Sequence, residues 1–334
     1  MSKVRVAFLG CGGFMGAHAG RLKTHPDVEI VALCDVSQDQ VRLFCEKHYA
    51  GLTPQPQFFT DPAQMYAQVK PDAVFIASPH TLHFDHGVQA LDAGCHVYME
   101  KPMVTDLGQA YKLAEKVKQS GKILVVGYNS PCTPEFMYLR QLIQDQTLGK
   151  LELVCGYLSQ DWMKFTVGKW RQDPKLSGGG QAYDSGAHLL NSLCWSVASD
   201  VDQVFAFVDN HGTAVDINSS FTIRFANHVL ASIVISGNCP SNAGHLCYIF
   251  DKGRVEIDGW NGTWINVWKG GEKVKYPPIT ADMGFATPDH NFIEAVLGRA
   301  QPRTSPRNGI IQSQLMDAIY ESARTGQAAR PRRG

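Results

Sequence analysis

The sequence predicts an α/β domain built on a doubly wound parallel sheet, joined to an α+β domain whose open, mostly antiparallel sheet is flanked by helices. Three observations predict it. The first third alternates short apolar runs with amphipathic segments. Those apolar runs lack period-two alternation, as strands covered by helices on both faces do. Past the first third the pattern changes to alternating strands joined by short turns. At 334 residues and 44% hydrophobic content, the chain is long for one core, since single cores stop growing near roughly 250–300 residues, and comfortable for two. The change of pattern puts the domains at 1–128 and 129–330.

In chain order, VRVAFLG is a strand and Phe14–Thr24 a helix. EIVALCD is the second strand and SQDQVRLFCEKHY the second helix. AVFIAS is the third strand, followed by a helix near His86–Ala93. HVYMEK is the fourth, LGQAYKLAEKVKQSG an amphipathic helix, and ILVVGYN the fifth strand. A helix at Glu135–Gln144 then leads into LELVCGYLSQ. From Val201 to Trp268 strands dominate, with hairpin turns expected at Asn227–His228 and Lys252–Gly253. Helices at Tyr183–Ser196, His290–Leu297 and Gly309–Thr325 pack on the second sheet or return to the first domain. The chain shows no internal repeat or low-complexity segment.

Lys+Arg and Asp+Glu are both 31, so net charge supplies no pull toward nucleic acid or an anionic membrane surface. Basic residues gather only in the tail ARPRRG, which reads as a frayed end. Nine cysteines without a C-x-x-C pair read as reduced, mostly buried thiols, which suits a cytoplasmic setting. The start MSKVRVAFLG is too short for a signal peptide and reads as a first strand. No segment reaches the roughly 18 uninterrupted apolar residues of a membrane helix.

FLGCGGFMGAH follows the first strand and opens the first helix. Gly10 and Gly12 take the first two positions of G-x-G-x-x-G. The third falls on Met15, with Gly16 one residue late, which would loosen helix–strand packing and leave the phosphate turn intact. With Gly13, Phe14 and Met15, this turn is the candidate dinucleotide site of a Rossmann domain. Asp35 closes the second strand, where a carboxylate accepts from the adenosine ribose hydroxyls and repels a 2′-phosphate. The next basic residue is Arg42, so NAD(H) is favoured over NADP(H). A cap on the following helix is the alternative role for Asp35. Ser78, Pro79, His80 and His83 follow the third strand, at the end that faces the ligand crevice. His80, His83 and His86 are spaced three apart, but beyond Asp85 nothing nearby completes a ligand set, so no metal is expected.

HVYMEKPMV places Glu100, Lys101 and Pro102 at the end of a buried strand. Pro102 lacks an N–H, ends the ladder and biases Lys101 towards an extended conformation. Lys101 should project into the crevice, with Glu100 beside the cofactor. In SGGGQAYDSGAHLLNSLCW, Gly178–Gly180 reads as a flexible approach loop and a helix begins near Ala182. Asp184, His188 and Asn191 would share one stripe of it. A capped helix with a polar face accounts for the same spacing. Gly186 argues against that, because glycine inside a helix costs about 1 kcal/mol and usually marks a close approach.

Through these motifs, the sequence resembles the glucose–fructose oxidoreductase / inositol dehydrogenase / rhizopine-catabolism (Gfo/Idh/MocA) family over nearly its whole length. The N-terminal glycines, DAVFIASPHTLHFDHGVQALDAGCHVYMEKP and WRQDPKLSGGGQAYDSGAHLLN carry it, with Glu-Lys-Pro and D-x-G-x-H in the right order. The resemblance implies an NAD(P)-dependent oxidoreductase of sugars, sugar derivatives or cyclitols, with Lys101, Asp184 and His188 meeting at the nicotinamide. It places Trp170, Arg171 and Asn129 near the cofactor. It places Tyr128, Trp162, Arg171, Asn191 and His290 on the substrate side. In such a reaction His188 suits a general base, Lys101 stabilises the developing alkoxide, and Asp184 orients one of them. Two positions depart from the family: Asn191 stands where Asp is frequent, and Pro131 where Arg is. Trp162, Phe165 and Trp170 could stack on sugar rings, although tryptophans more often pack in a core or an interface. A redox-neutral NAD-dependent glycosidase and a non-catalytic NAD-binding sensor remain alternatives. Paired open sheets in the family imply a homodimer or homotetramer.

Overall fold

The computed structural model describes residues 3–275 and 287–333. The chain divides into two compact units: Met1–Gly127 with Thr287–Gly309, and Tyr128–Ala286 with Ile310–Gly334.

The first unit alternates β1 (Val4–Leu9), α1 (Met15–Leu22), β2 (Val28–Cys34), α2 (Gln38–Tyr49), β3 (Gln57–Phe59), α3 (Pro62–Val69), β4 (Ala73–Ile76), α4 (His83–Asp92), β5 (His96–Met99), α5 (Leu107–Ser120) and β6 (Leu124–Val126). The strands are parallel in the order β3-β2-β1-β4-β5-β6. That order reverses between β1 and β4, the position at which doubly wound sheets open a ligand crevice at their carboxyl ends. All four residues of β4 are buried, which is why its sequence shows no alternation. β3 and α3 carry no expectation from the sequence. β3 is a three-residue edge strand with two residues exposed, so it leaves no apolar run. α3 opens on Asp61, whose side chain accepts from Ala63 N, with Pro62 in the first turn.

The second unit contains α6 (Pro134–Gln144), β7 (Leu151–Ser159), α7 (Trp162–Thr166), α8 (Pro174–Ser177), α9 (Gly186–Val197), β8 (Val201–Asp209), β9 (Asn218–Phe225), β10 (Leu230–Ser236), β11 (Ala243–Phe250), β12 (Gly253–Asp258), β13 (Ile265–Lys269) and β14 (Glu272–Val274). Its sheet order is β14-β13-β12-β11-β7-β10-β9-β8, antiparallel except for β7 against β10. Alternation sorts the faces. Val154, Leu246, Ile257 and Ile233 point into a core shared with Leu139 of α6 and Leu189 and Leu193 of α9. Leu153, Tyr157, Phe205, Phe207, Leu230 and Val234 stay exposed. The β11–β12 loop is Asp251–Lys252, one residue earlier than expected, because Gly253 already pairs with Phe250. Gly253 is strand rather than turn, and a Cβ there would come 2.2 Å from Trp268 O.

The chain returns to the first unit through α10 (Pro288–Val296), whose Phe292 and Ile293 join Phe8, Phe75 and Tyr98 in its core. Thr304 Oγ1 donates to Val126 O at 2.7 Å and accepts from Val126 N at 3.2 Å, extending the edge of β6. The last helix, α11 (Pro306–Thr325), supplies Leu315 and Ile319 to the second core.

The tail is not frayed. Ala329 and Val204 exchange both backbone hydrogen bonds at 2.8 Å, and Arg330 reaches Asp202 at 2.9 Å. β8 is an edge strand, and its unpaired backbone groups accept this short cover. All nine cysteines are free, and six are buried. Among the described residues, no helix is long and apolar enough to cross a membrane.

Candidate active site

Each unit carries its own set of candidate residues. In the first, the chain leaves β1 through Gly10, at φ +90, where a Cβ would lie 2.8 Å from the Ala77 backbone. Only glycine fits there. Cβ atoms on Gly12 and Gly13 would meet nothing within 4 Å, so a ligand can approach the backbone at both. Phe14 precedes α1 and makes no side-chain cap, and the first turn holds no acidic residue. The first N–H groups of α1 are thus left without a side-chain acceptor, and an anion is favoured there. The expected loosening at Met15 is not found. Its side chain is fully buried in the core, and Gly16 lets the His48 ring of α2 approach to where a Cβ would be 3.0 Å away. What Met15 can offer a cofactor is therefore its backbone.

Asp35 Oδ2 accepts from Cys11 N at 2.9 Å and Oδ1 from Ser37 N at 3.1 Å. The cap of α2 is Ser37, which accepts from Gln40 N at 3.2 Å. Asp35 therefore braces the glycine turn. After β4, His83 is fully buried between two carbonyls, Nδ1 2.7 Å from Pro102 O and Nε2 2.9 Å from Ser78 O. Burial pushes its pKa down. Its ring joins two loops, which gives a histidine expected beside a cofactor a structural clasp to make. His86 Nδ1 lies 2.8 Å from Ser78 Oγ, and His80 sits 4% exposed with its ring 5.8 Å from that of His83. Pro79 leads into this turn. Among the described residues, no group of three His, Cys, Asp or Glu could hold a metal ion.

β5 ends at Met99, and Glu100 and Lys101 follow, both buried, with the Lys101–Pro102 peptide cis. Glu100, expected beside the cofactor, has an inward partner. His18 Nε2 donates to Glu100 Oε1 at 3.0 Å, and Glu100 Oε2 accepts from Lys101 N at 3.2 Å. His18 Nδ1 donates to Asp289 Oδ1 at 2.6 Å, while Arg21 donates to Asp289 Oδ2 at 2.7 Å. Burial alone would lower the His18 pKa, but Asp289 and Glu100 overcome it and raise it to about 9. The imidazole is therefore charged at neutral pH. Burial would likewise raise Asp289, yet His18 and Arg21 hold it below the usual carboxylate range. His290, expected near the site, faces His25 instead, rings 5.4 Å apart, past the end of α1 remote from the glycine turn. Its neighbour Asp289 does the reaching.

In the second unit, Asp184 lies in a turn two residues before α9, not on the helical stripe. Asp184 Oδ2 accepts from Trp162 Nε1 at 2.8 Å and from Arg171 Nε at 2.9 Å. Trp162 is fully buried with Val215 and Ile217, so it offers no face to a sugar. The Arg171 guanidinium lies 4.4 Å over the Trp170 ring. His188 sits in the first turn of α9, with the buried Tyr128 ring edge-on at 6.3 Å. Asn191 is buried one turn on, and Pro131 occupies a short, buried 3-10 turn. Asn129 Nδ2 donates to Asn261 Oδ1 at 3.3 Å.

The triple glycine is a packed joint rather than a flexible loop. Gly178 caps α8 at φ +74. A Cβ on Gly179 would lie 2.4 Å from Tyr320 Oη, and one on Gly180 1.9 Å from Asp216 O. Asp216, unnoticed in the sequence, accepts from Gly180 N and Ala182 N, both at 2.7 Å, and from Tyr320 Oη at 2.5 Å. The close approach at Gly186 is real: a Cβ would come 2.7 Å from Ile235 of β10.

The strand order, the bare glycine turn and the brace from Asp35 define a dinucleotide-binding protein of the Rossmann type. Comparison with known proteins narrows the class. Residues 4–128 match the model of the oxidoreductase family with an NAD-binding Rossmann fold, and residues 136–265 match the Gfo/Idh/MocA C-terminal domain. The chain belongs to the Gfo/Idh/MocA family of oxidoreductases. It is 25% identical to D-glucoside 3-dehydrogenase of Escherichia coli K12, over 97% of each chain. It is 26% identical to myo-inositol 2-dehydrogenase of Thermotoga maritima, over 78% of this chain and 74% of that one. The WlbA dehydrogenase of Bordetella pertussis, solved with NADH and UDP-GlcNAcA, shares the fold at a TM-score of 0.86 and 23% identity, over 99% of this chain and 100% of that one.

Proposed function

We propose that the chain is an NAD(H)-dependent dehydrogenase moving hydride between nicotinamide and a secondary hydroxyl or keto group of a sugar, sugar derivative or cyclitol. The observation that carries this reading is the buried Lys101 just past β5, in a sheet whose β1 and β4 ends carry the Gly10 turn and Ser78. The open start of α1, with Gly12 and Gly13, would hold the pyrophosphate, and Asp35 the adenosine ribose. When bound, nicotinamide supplies the hydride acceptor. The chain's own residues manage the proton and the geometry. His188 takes the hydroxyl proton and returns it in the reverse direction. Lys101 donates a hydrogen bond to the same oxygen as negative charge develops there. Asp184 fixes Arg171, so that a cation and the Trp170 ring are presented as one rigid pair.

The names of the glucoside and inositol dehydrogenases support a sugar ring or cyclitol as substrate. A screen of hexoses, methyl glycosides and inositols with NAD⁺, followed by the absorbance of reduced nicotinamide, should find at least one substrate. Turnover of aryl glycosides without added cofactor would assign the redox-neutral glycosidase chemistry in its place. If no sugar perturbs bound cofactor, the sensor reading gains.

Asp35→Asn is expected to narrow the preference for NAD over NADP by about tenfold or more, the size of one lost charge-assisted hydrogen bond. The ratio of kcat/KM with the two cofactors measures it, and an unchanged ratio removes Asp35 as the discriminator. Asparagine keeps an acceptor for Cys11 N, which alanine would not.

We also place the chain in a homo-oligomer within the cytoplasm, where its free thiols stay reduced. The β8–β10 half of the outer sheet face exposes Phe207 at 66%, Val234 at 47% and Leu230 at 46%, interleaved with Ser220 and Ser232, and large apolar side chains left exposed in this way are ones a subunit contact would bury. Phe207→Asp with Leu230→Asp should lower the mass seen by sedimentation. A parent that sediments as a monomer would reject the assembly.

A further inference from the structure

The other half of that outer face, in the second unit, holds a cavity of about 700 Å³. Strand register builds its floor. Tyr157 of β7, His245 of β11 and Asp258 of β12 are directly opposed, and one row along Glu256 of β12 faces Asn266 of β13. Three rings form a continuous wall: Tyr157 and His245 are 6.0 Å apart at 75°, and His245 and Trp264 are 5.6 Å apart at 39°. Tyr157 and Trp264 remain 41% and 40% exposed, so these faces are open to a ligand.

The loop carrying Trp260 and Trp264 is held in place before any ligand arrives. Asp258 Oδ1 accepts from Trp260 N at 2.9 Å, and its Oδ2 accepts from Thr263 N at 3.1 Å and Thr263 Oγ1 at 2.7 Å. Gly244 is bare beneath it, since a Cβ there would lie 2.9 Å from Trp260 Cβ. Such preorganisation lowers the ordering cost of binding.

The lining selects a chemistry. Aromatic faces suit the C–H face of a pyranose, while the amides of Asn242 and Asn266 and the carboxylate of Glu256 suit vicinal hydroxyls. Among the described lining residues there is no lysine or arginine, so nothing there compensates a phosphate. Arg254 pairs with Glu256 at 3.0 Å, but its guanidinium lies over the Trp268 ring at 4.1 Å. We propose that this cavity is a second carbohydrate site, built to take a neutral, unphosphorylated pyranose. It stands on the second unit alone and does not depend on the catalytic reading.

The test titrates the full chain, without cofactor, with methyl β-D-glucopyranoside, maltose and glucose 6-phosphate, using calorimetry and ligand-observed NMR. Neutral sugars should bind, and glucose 6-phosphate at least about tenfold more weakly. Trp264→Ala should weaken neutral-sugar binding by about tenfold or more, a loss expected of an aromatic anchor. Trp264→Phe should retain most of it, which excludes misfolding as the cause, and His188→Ala should leave it intact. The proposal is overturned if no probe binds. It is overturned if binding survives Trp264→Ala but disappears in His188→Ala, which would assign the signal to the catalytic residues. It is also overturned if Trp264→Ala breaks an oligomer into monomers, which would make the cavity a subunit contact.

Discussion

His188→Ala is expected to lower kcat by about 10²–10⁴, the span lost with a positioned general base. Lys101→Ala should lower it by about 10²–10³, comparable to removal of one donor to a developing oxyanion. The two groups are expected to act on the same oxygen, so their effects should be strongly non-additive in the double variant. Neither substitution should unfold the protein. His188 lies in the first turn of a helix whose residues are almost all buried, and alanine is the residue a helix tolerates best. At Lys101, Glu100 keeps its bond to His18 after the amine is gone. Circular dichroism and NADH fluorescence report fold and cofactor binding. A kcat within about tenfold of the parent in either variant would sink that residue's assignment.

Asp289→Ala should destabilise the protein by about 3–5 kcal/mol, the usual cost of stripping one partner from a buried ion network. His18 loses its 2.6 Å bond and Arg21 its 2.7 Å bond in one step. Urea unfolding should show a lower midpoint with an unchanged slope. The pH dependence has a definite sign. The folded pKa of His18 is raised to about 9, so its stabilisation is fully present below about 6.5 and is lost as pH rises through about 9. Asp289 is depressed, so its contribution is present above the ordinary carboxylate value and is lost as pH falls through its lower folded pKa. Tm should therefore fall on the alkaline side of neutrality in the parent, and more gently in Asp289→Ala. Identical alkaline slopes in the two proteins would refute the network account.

The strands of the first unit were legible because their burial on both faces left uninterrupted apolar runs, and β3 was not because two of its three residues face solvent. Lys101 and His188 stood out through local motifs. Their supports did not. Asp289 is 271 residues from His18, and Asp216 is 36 from Gly180. Contacts made by tertiary folding leave no local spacing to read. For Trp162 the sequence leaves stacking on a sugar and burial in a core both open, because a tryptophan written in a sequence does not reveal whether its ring is exposed; here the ring is buried and Asp184 holds its N–H inside. Asp184 itself looked helical by its spacing to His188. The turn closed by Asp184 N on Gly180 O and Gly186 N on Gln181 O delays the helix start. The glycines after Ser177 suggest slack for a similar reason. Absence of a side chain permits both freedom and the tightest packing, and the Asp216 backbone 1.9 Å from a would-be Cβ decides between them.

The return of Thr287–Gly309 to the first unit bears on how such a protein can be inherited. The dinucleotide-binding unit is not one stretch of coding sequence. Residues 3–127 moved alone into another gene would carry His18 and Arg21 without Asp289, β6 without Thr304, and a core lacking Phe292. The separate pieces must travel together, so recombination that swaps one unit for another is penalised at the first step. Divergence in this chain is thereby channelled into substitutions and loop changes, with the two units passed on as a single evolutionary lot.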